Sequence, residues 1–139
     1  MLALMDNSLT GTIPEEFASL ARLERVLLER NGLTGNISEG ALDWIKGKAN
    51  LTDLSLEYNY LTGTIPESIG GLTSLEILSL SDNGLHGPLP TSIGELKSLR
   101  ILALDDNSLT GNLAVLEELS NLTHLVSLFD FVCLACTLL

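Results

Sequence analysis

Aromatic side chains are scarce in this 139-residue chain, 4% of it against 45% hydrophobic residues overall. With so few rings the core has to be filled by aliphatic groups, chiefly leucine. That suits a layered, repetitive interior better than a globule built around a few large side chains. Bases are also short: 7 Lys and Arg face 18 Asp and Glu, a formal net charge of -11. Binding phosphates takes a basic face, so nucleic acid is excluded as a partner class, as is adsorption to an anionic membrane surface. A basic protein or peptide, or a carbohydrate, stays open, beside the plainer reading that acidity keeps a long exposed surface soluble.

The only cysteines are Cys133 and Cys136, both within the last seven residues, so the body is not a disulfide scaffold. Their C-x-x-C spacing lacks a second ligand pair for zinc and a strand-to-helix context for redox chemistry. The two histidines, His86 and His124, occupy unrelated positions, and no set of nucleophile, base and orienter converges anywhere. A G-x-x-x-x-G-K phosphate loop and a kinase signature are both missing. The expectation is a non-enzyme with no cofactor and no metal. No basic segment followed by an apolar stretch opens the chain, so no signal peptide is visible. The chain starts on the strand-like Leu2-Ala3-Leu4, which reads as a fragment, a processed product or an incomplete reading frame.

What is abundant is internal repetition. Asn7, Asn31, Asn59, Asn83 and Asn107 each stand in the frame Asn-x-Leu-x-Gly, spaced 24, 28, 24 and 24 residues apart. Gly11, Gly35, Gly63, Gly87 and Gly111 follow at a fixed offset, and Ile13-Pro14, Ile65-Pro66 and Leu89-Pro90 come two residues later. Leu78 and Leu80 have the two-residue period that points both inward from a strand, with Ser79 between them on the opposite face. The asparagine ends the strand, where its amide can pair with the turning backbone, so that stacked repeats form a ladder. Glycine allows the backbone geometry of the turn, and proline steers the chain to the convex side. A single unit cannot bury its own leucines, so neighbours must stack.

These residues resemble the plant-type leucine-rich repeat, L-x-x-L-x-L-x-x-N-x-L-[TS]-G-x-I-P, from residue 2 to about residue 125. Two repeats depart from it, with Ser38 and Ala114 in place of proline, and the unit after Asn31 has four extra residues within 38–49. The resemblance implies an α/β leucine-rich repeat solenoid of about five units. It would be a curved right-handed superhelix with one parallel sheet on its concave face. The insertion 38–49 reads as a short convex-side helix ending near Gly47, with Trp44 as a packing residue. In domain terms, residues 1–125 form the repeat domain and 126–139 an apolar C-terminal tail. That tail is either a cap over the last repeat, the start of a truncated membrane span, or a stretch read past the true exon.

Outward strand positions share one face, which makes them the candidate contacts. They are Met5 and Asp6; Arg25, Leu27, Glu29 and Arg30; Asp53, Ser55, Glu57 and Tyr58; Ile77, Ser79, Ser81 and Asp82; and Ile101, Ala103, Asp105 and Asp106. The positions just before the ladder asparagine are acid-rich (Asp6, Glu29, Glu57, Asp82, Asp105 and Asp106) and predict a negative stripe complementary to a basic peptide or protein patch. Tyr58, Ile77 and Ile101 add apolar contact. Three N-x-[ST] sequons, at Asn36, Asn50 and Asn121, are candidate glycosylation sites. Family resemblance implies a protein- or peptide-recognition module, part of a receptor-like or secreted protein at the cell surface or outside the cell. The membrane would enter only through a parent protein or the apolar tail. The competing class is a structural or ice-surface repeat protein, which would need regular outward rows; here the column varies from repeat to repeat, Leu27, Ser55, Ser79 and Ala103.

Overall fold

The computed structural model describes residues 1–38, 42–111, 113–119, 121 and 124–126. The cysteines and, apart from Val126, the apolar tail lie outside the described residues.

Each repeat lays down one short strand at the leucine pair, and these strands stack in parallel. They are β1 (Leu2–Ala3), β3 (Arg25–Leu27), β5 (Asp53–Ser55), β7 (Ile77–Ser79), β9 (Ile101–Ala103) and β11 (His124–Val126), forming a six-stranded sheet in sequence order. Val26, Leu54, Leu78 and Leu102 are in register across it, and each is completely buried. One sheet is what the repeat frame predicts; the molecule has a second. The x-Leu-x-Gly stretch after each ladder asparagine also pairs with its counterparts. It gives β2 (Thr10–Gly11), β4 (Gly32–Asn36), β6 (Tyr60–Gly63), β8 (Gly84–Pro88) and β10 (Ser108–Thr110), again all parallel. Once the first sheet fixes the repeat spacing near 4.8 Å, the next extended segment of every unit arrives at pairing distance too.

The convex side is built from 3-10 turns, with no α-helix among the described residues: Glu15–Ser19, Asp43–Ile45, Glu67–Gly71, Thr91–Glu95 and Leu113–Glu118. Pro14, Pro66 and Pro90 sit immediately before three of them with φ of -69, -78 and -64°, where a missing N–H costs nothing. The helix expected in the insertion is the single turn Asp43–Ile45, followed by Gly47 at φ 77°. Trp44 is 1% exposed and meets Phe17 edge-on at 5.7 Å, so it is a packing residue. The insertion is tied back to the first repeat by Lys48, whose buried ammonium donates to the carbonyls of Ala18 at 2.8 Å and Leu20 at 2.9 Å. Stacking on this side demands small residues. A Cβ on Gly70 would lie 2.6 Å from the Ser92 carbonyl oxygen.

One convex contact titrates. The Glu67 carboxylate accepts from the Ser92 amide at 2.9 Å and the Thr91 amide at 3.0 Å, capping the next repeat's first turn. These bonds, the Ser92 amide foremost, hold its pKa below the ordinary glutamate value. A depressed folded-state pKa adds stability that is fully present above the unfolded value, about 4.3, and is lost as pH falls through the folded one. Glu67→Gln should therefore flatten the acid limb of the stability curve below about pH 4.3, which thermal melts from pH 3 to 6 would read. An unchanged limb would mean the cap is too exposed to matter.

Candidate functional site

The concave face ends at the asparagine ladder. The Asn59 Nδ2 donates to the carbonyls of Leu28 at 3.0 Å, Leu56 at 3.0 Å and Glu57 at 3.2 Å, while its Oδ1 accepts from the Leu33 amide at 3.0 Å. Asn83 and Asn107 repeat this pattern one and two units on. Asn31 does so one unit earlier, and Asn7 keeps only its two bonds within its own turn. From Asn31 onward each amide thus joins its own turn to the repeat before it. To turn there, the preceding residue takes a left-handed conformation: Asp6, Arg30, Tyr58, Asp82 and Asp106 all have φ between 51 and 56°. That geometry is unusual outside glycine, and bulky Arg30 and Tyr58 adopt it because the ladder on either side leaves no alternative.

The outward columns are not equally accessible. Leu27, Asp53, Ser79, Ser81 and Ala103 are buried at 4–9% exposure, because side chains only about 4.8 Å apart shade one another. Arg25, Arg30, Tyr58 and Asp106 are exposed, and Glu29, Glu57, Ile77, Asp82, Ile101 and Asp105 are intermediate. Asp53 is held by Arg25 at 3.3 Å and by the Thr52 hydroxyl at 2.6 Å, so it offers a partner little. Arg30 lies 4.3 Å over the Tyr58 ring and 3.9 Å from Asp6.

The acid-rich positions do not form a uniform stripe. Asp6 is next to Arg30, the Ser79 hydroxyl donates to Glu57, and one Glu29 oxygen is buried without a partner. The negative charge gathers at one corner. There Asp82, Asp105 and Asp106 bring carboxylate oxygens within 4.8 Å of one another, and Asp105 also accepts from the Ser81 hydroxyl. Asp82 acts on Tyr58 by its charge and by accepting a hydrogen bond from it, and so raises the phenol's pKa above its usual value. A hollow of about 440 Å³ opens at the same corner, lined by Asn59, Tyr60, Thr62, Asp82, Asn83, Gly84 and Asp106. Tyr60, 70% exposed, and Thr62 come from β6. They were out of reach of the sequence argument because the second sheet was; the one signal was a large aromatic directly after a ladder asparagine.

His86 is exposed on β8, and the side chain of His124 lies outside the described residues. No helix among the described residues is long and apolar enough to cross a membrane.

Known proteins match this architecture. Residues 34–85 match the leucine rich repeat family profile. A leucine-rich repeat receptor-like protein kinase of Arabidopsis thaliana, whose name casts doubt on its kinase activity, is 37% identical over 73 residues, 52% of this chain and 7% of its own. The plant peptide hormone receptor RGFR1, solved in complex with RGF2, superposes with a TM-score of 0.86 at 37% identity, over 94% of this chain and 20% of the receptor. The Arabidopsis receptor kinase HAESA, in complex with the peptide hormone IDA and the co-receptor SERK1, gives 0.83 at 31% identity, over 91% of this chain and 21% of the receptor. A plant ice-binding protein gives 0.78 at 29% identity, over 95% of this chain and 42% of its own. The chain spans about a fifth of the receptors' length. Repeat frame, fold and likeness agree on a leucine-rich repeat solenoid similar to the repeats of plant receptor ectodomains.

Proposed function

We propose that this chain is a non-catalytic recognition module that holds a peptide or protein segment against its concave face, with a basic side chain of that partner seated at the Asp82, Asp105 and Asp106 corner. The observation that carries the reading is the coincidence at one rim of three clustered carboxylates, a hollow of about 440 Å³ and exposed Tyr60. Like charges held this close repel, and a cation relieves them. Tyr58 and Tyr60 supply flat apolar surface beside the charge, the mixture common at recognition sites. Arg25 and Arg30 lie two repeats before Asp82, so the face is polarised along the solenoid, and Ile77 and Ile101 stand on the same two repeats as the acidic corner. The superposed receptors, whose structures contain peptide hormones, support the partner class. As a piece of such a protein the chain would work at the cell surface or outside the cell.

Changing Asp82, Asp105 and Asp106 together to lysine should weaken binding of a fluorescent Lys/Arg-bearing peptide at least about tenfold, the loss expected for a few such pairs. Stability should move by under about 1 kcal/mol, since these groups sit at the surface. Anisotropy titrations at low and high salt, with a melt of each protein, would test it. Equal affinity in the variant would remove the corner as a binding site. The ice-surface alternative has the ice-binding protein's likeness behind it. The outward column of Leu27, Ser55, Ser79 and Ala103 lacks the regular hydroxyl row a lattice would match, and a thermal-hysteresis measurement separates the two readings.

A further inference from the structure

The three sequons are not equivalent once folded, and we infer that Asn50 is the glycan acceptor of this chain while Asn121 is not. This inference rests on the proposed extracellular setting.

Asn50 and Asn121 occupy the same place in the repeat, each followed by Leu-Thr, so sequence alone gives no reason to rank them. Both are exposed. They differ in what their amide nitrogens do. The Asn121 Nδ2 donates to the Lys97 carbonyl at 2.7 Å, reaching back one repeat. The Ser98 hydroxyl, at the equivalent position, makes the same reach to the Thr73 carbonyl at 3.0 Å. This is a second stitch between neighbouring units, on the flank away from the asparagine ladder. Asn50 makes no such bond, and its side chain has no hydrogen-bond partner among the described residues. The cause is local. The four extra residues of this unit enter before Asn50, and the segment that returns to β5 is anchored instead by buried Lys48 and by Thr52, whose backbone amide donates to the Glu24 carbonyl at 2.7 Å. Asn50 is left outside the stitching. Asn36 is intermediate: its Oδ1 accepts from the Ser38 amide at 2.7 Å, its nitrogen has no partner among the described residues, and its side chain lies against Gly63 of the next repeat.

The modification joins the amide nitrogen to the anomeric carbon of a lipid-pyrophosphate-linked oligosaccharide. The C–N bond forms as the sugar–phosphate bond breaks; the lipid pyrophosphate leaves, and the nitrogen gives up one proton. An unengaged nitrogen on an exposed turn loses nothing by this, and a bulky glycan there stays clear of the core. At Asn121 the same step is made on a nitrogen already engaged with the Lys97 carbonyl, and it sets a glycan beside the neighbouring repeat. A glycan on Asn50 sits at the start of β5, on the flank opposite the Asp82 corner, so it leaves the proposed contact surface open.

The test is to secrete the chain from mammalian cells behind a heterologous leader, release glycans with an amidase in heavy-oxygen water, and map the labelled positions by peptide mass spectrometry. The expected result is occupancy at Asn50 several-fold above that at Asn121, with a single-step shift in the intact mass lost in Asn50→Gln. Occupancy at Asn121 equal to or above Asn50, or a secreted chain unmodified at Asn50, overturns the inference. Because the leader imposes the route, the outcome is independent of where the natural protein resides, and peptide binding by the same material tests the recognition reading separately.

Discussion

Replacing Asn59 by alanine is expected to lower the free energy of unfolding by about 3 kcal/mol, and the same change at Asn7 by about 1 kcal/mol or less. The chemistry is identical; the surroundings are not. Asn59 is 6% exposed and the Leu33 residue whose amide it accepts is 5% exposed, so the alanine variant buries an N–H with no acceptor and frees carbonyls on two repeats at once. Leaving such groups unpaired costs about 1–3 kcal/mol each before partial relaxation. Asn7 is exposed, its bonds stay inside its own turn, and water replaces them. Urea titrations of the two variants give the comparison directly. Similar losses would mean that the ladder is decoration on a fold held by leucines.

The leucines set the other large effect. Leu78→Ala should cost about 4 kcal/mol, within the 2–5 kcal/mol of buried leucine truncations. Leu78 is fully buried in register between Leu54 and Leu102, so neighbours on both sides lose contact and neither can collapse into the gap without shifting its own strand. Against a total stability of about 5–15 kcal/mol for an ordinary domain, the variant should melt early. In a linear stack it should also separate into two halves with different midpoints. Leu2→Ala, in the terminal strand and only half-buried, should cost about 1 kcal/mol because one side of its pocket is already missing. A single sharp transition in Leu78→Ala, close to the parent midpoint, would contradict the layered core.

How far the sequence could be read follows from where each constraint resides. Leu78 and Leu80 were legible because a two-residue period is local, and the spacing of Asn31, Asn59 and Asn83 was legible because repetition shows at a glance. The second sheet was not: Gly84-Leu85-His86-Gly87 has the composition of a turn, and it becomes strand β8 only because its neighbours arrive at pairing distance. The left-handed backbone at Arg30 and Tyr58 was equally hidden, since neither residue favours it alone. The candidate surface was legible as a list of outward positions and illegible as a surface. Whether Ser81 or Asp82 reaches solvent depends on the heights of adjacent side chains, and the charge concentrates where Asp105 and Asp106 of one repeat meet Asp82 of the one before.

The left-handed residue in every turn has a consequence for evolvability. In a plain strand only alternate side chains look outward, but this kink turns two consecutive ones the same way: Met5 with Asp6, Glu29 with Arg30, Glu57 with Tyr58, Ser81 with Asp82, and Asp105 with Asp106. All but Ser81 reach solvent. The rim beside the ladder is thus a keyboard with two keys per repeat. Any key can be exchanged without moving a core leucine, so a new partner can be selected there by substitution while the fold stays as it is.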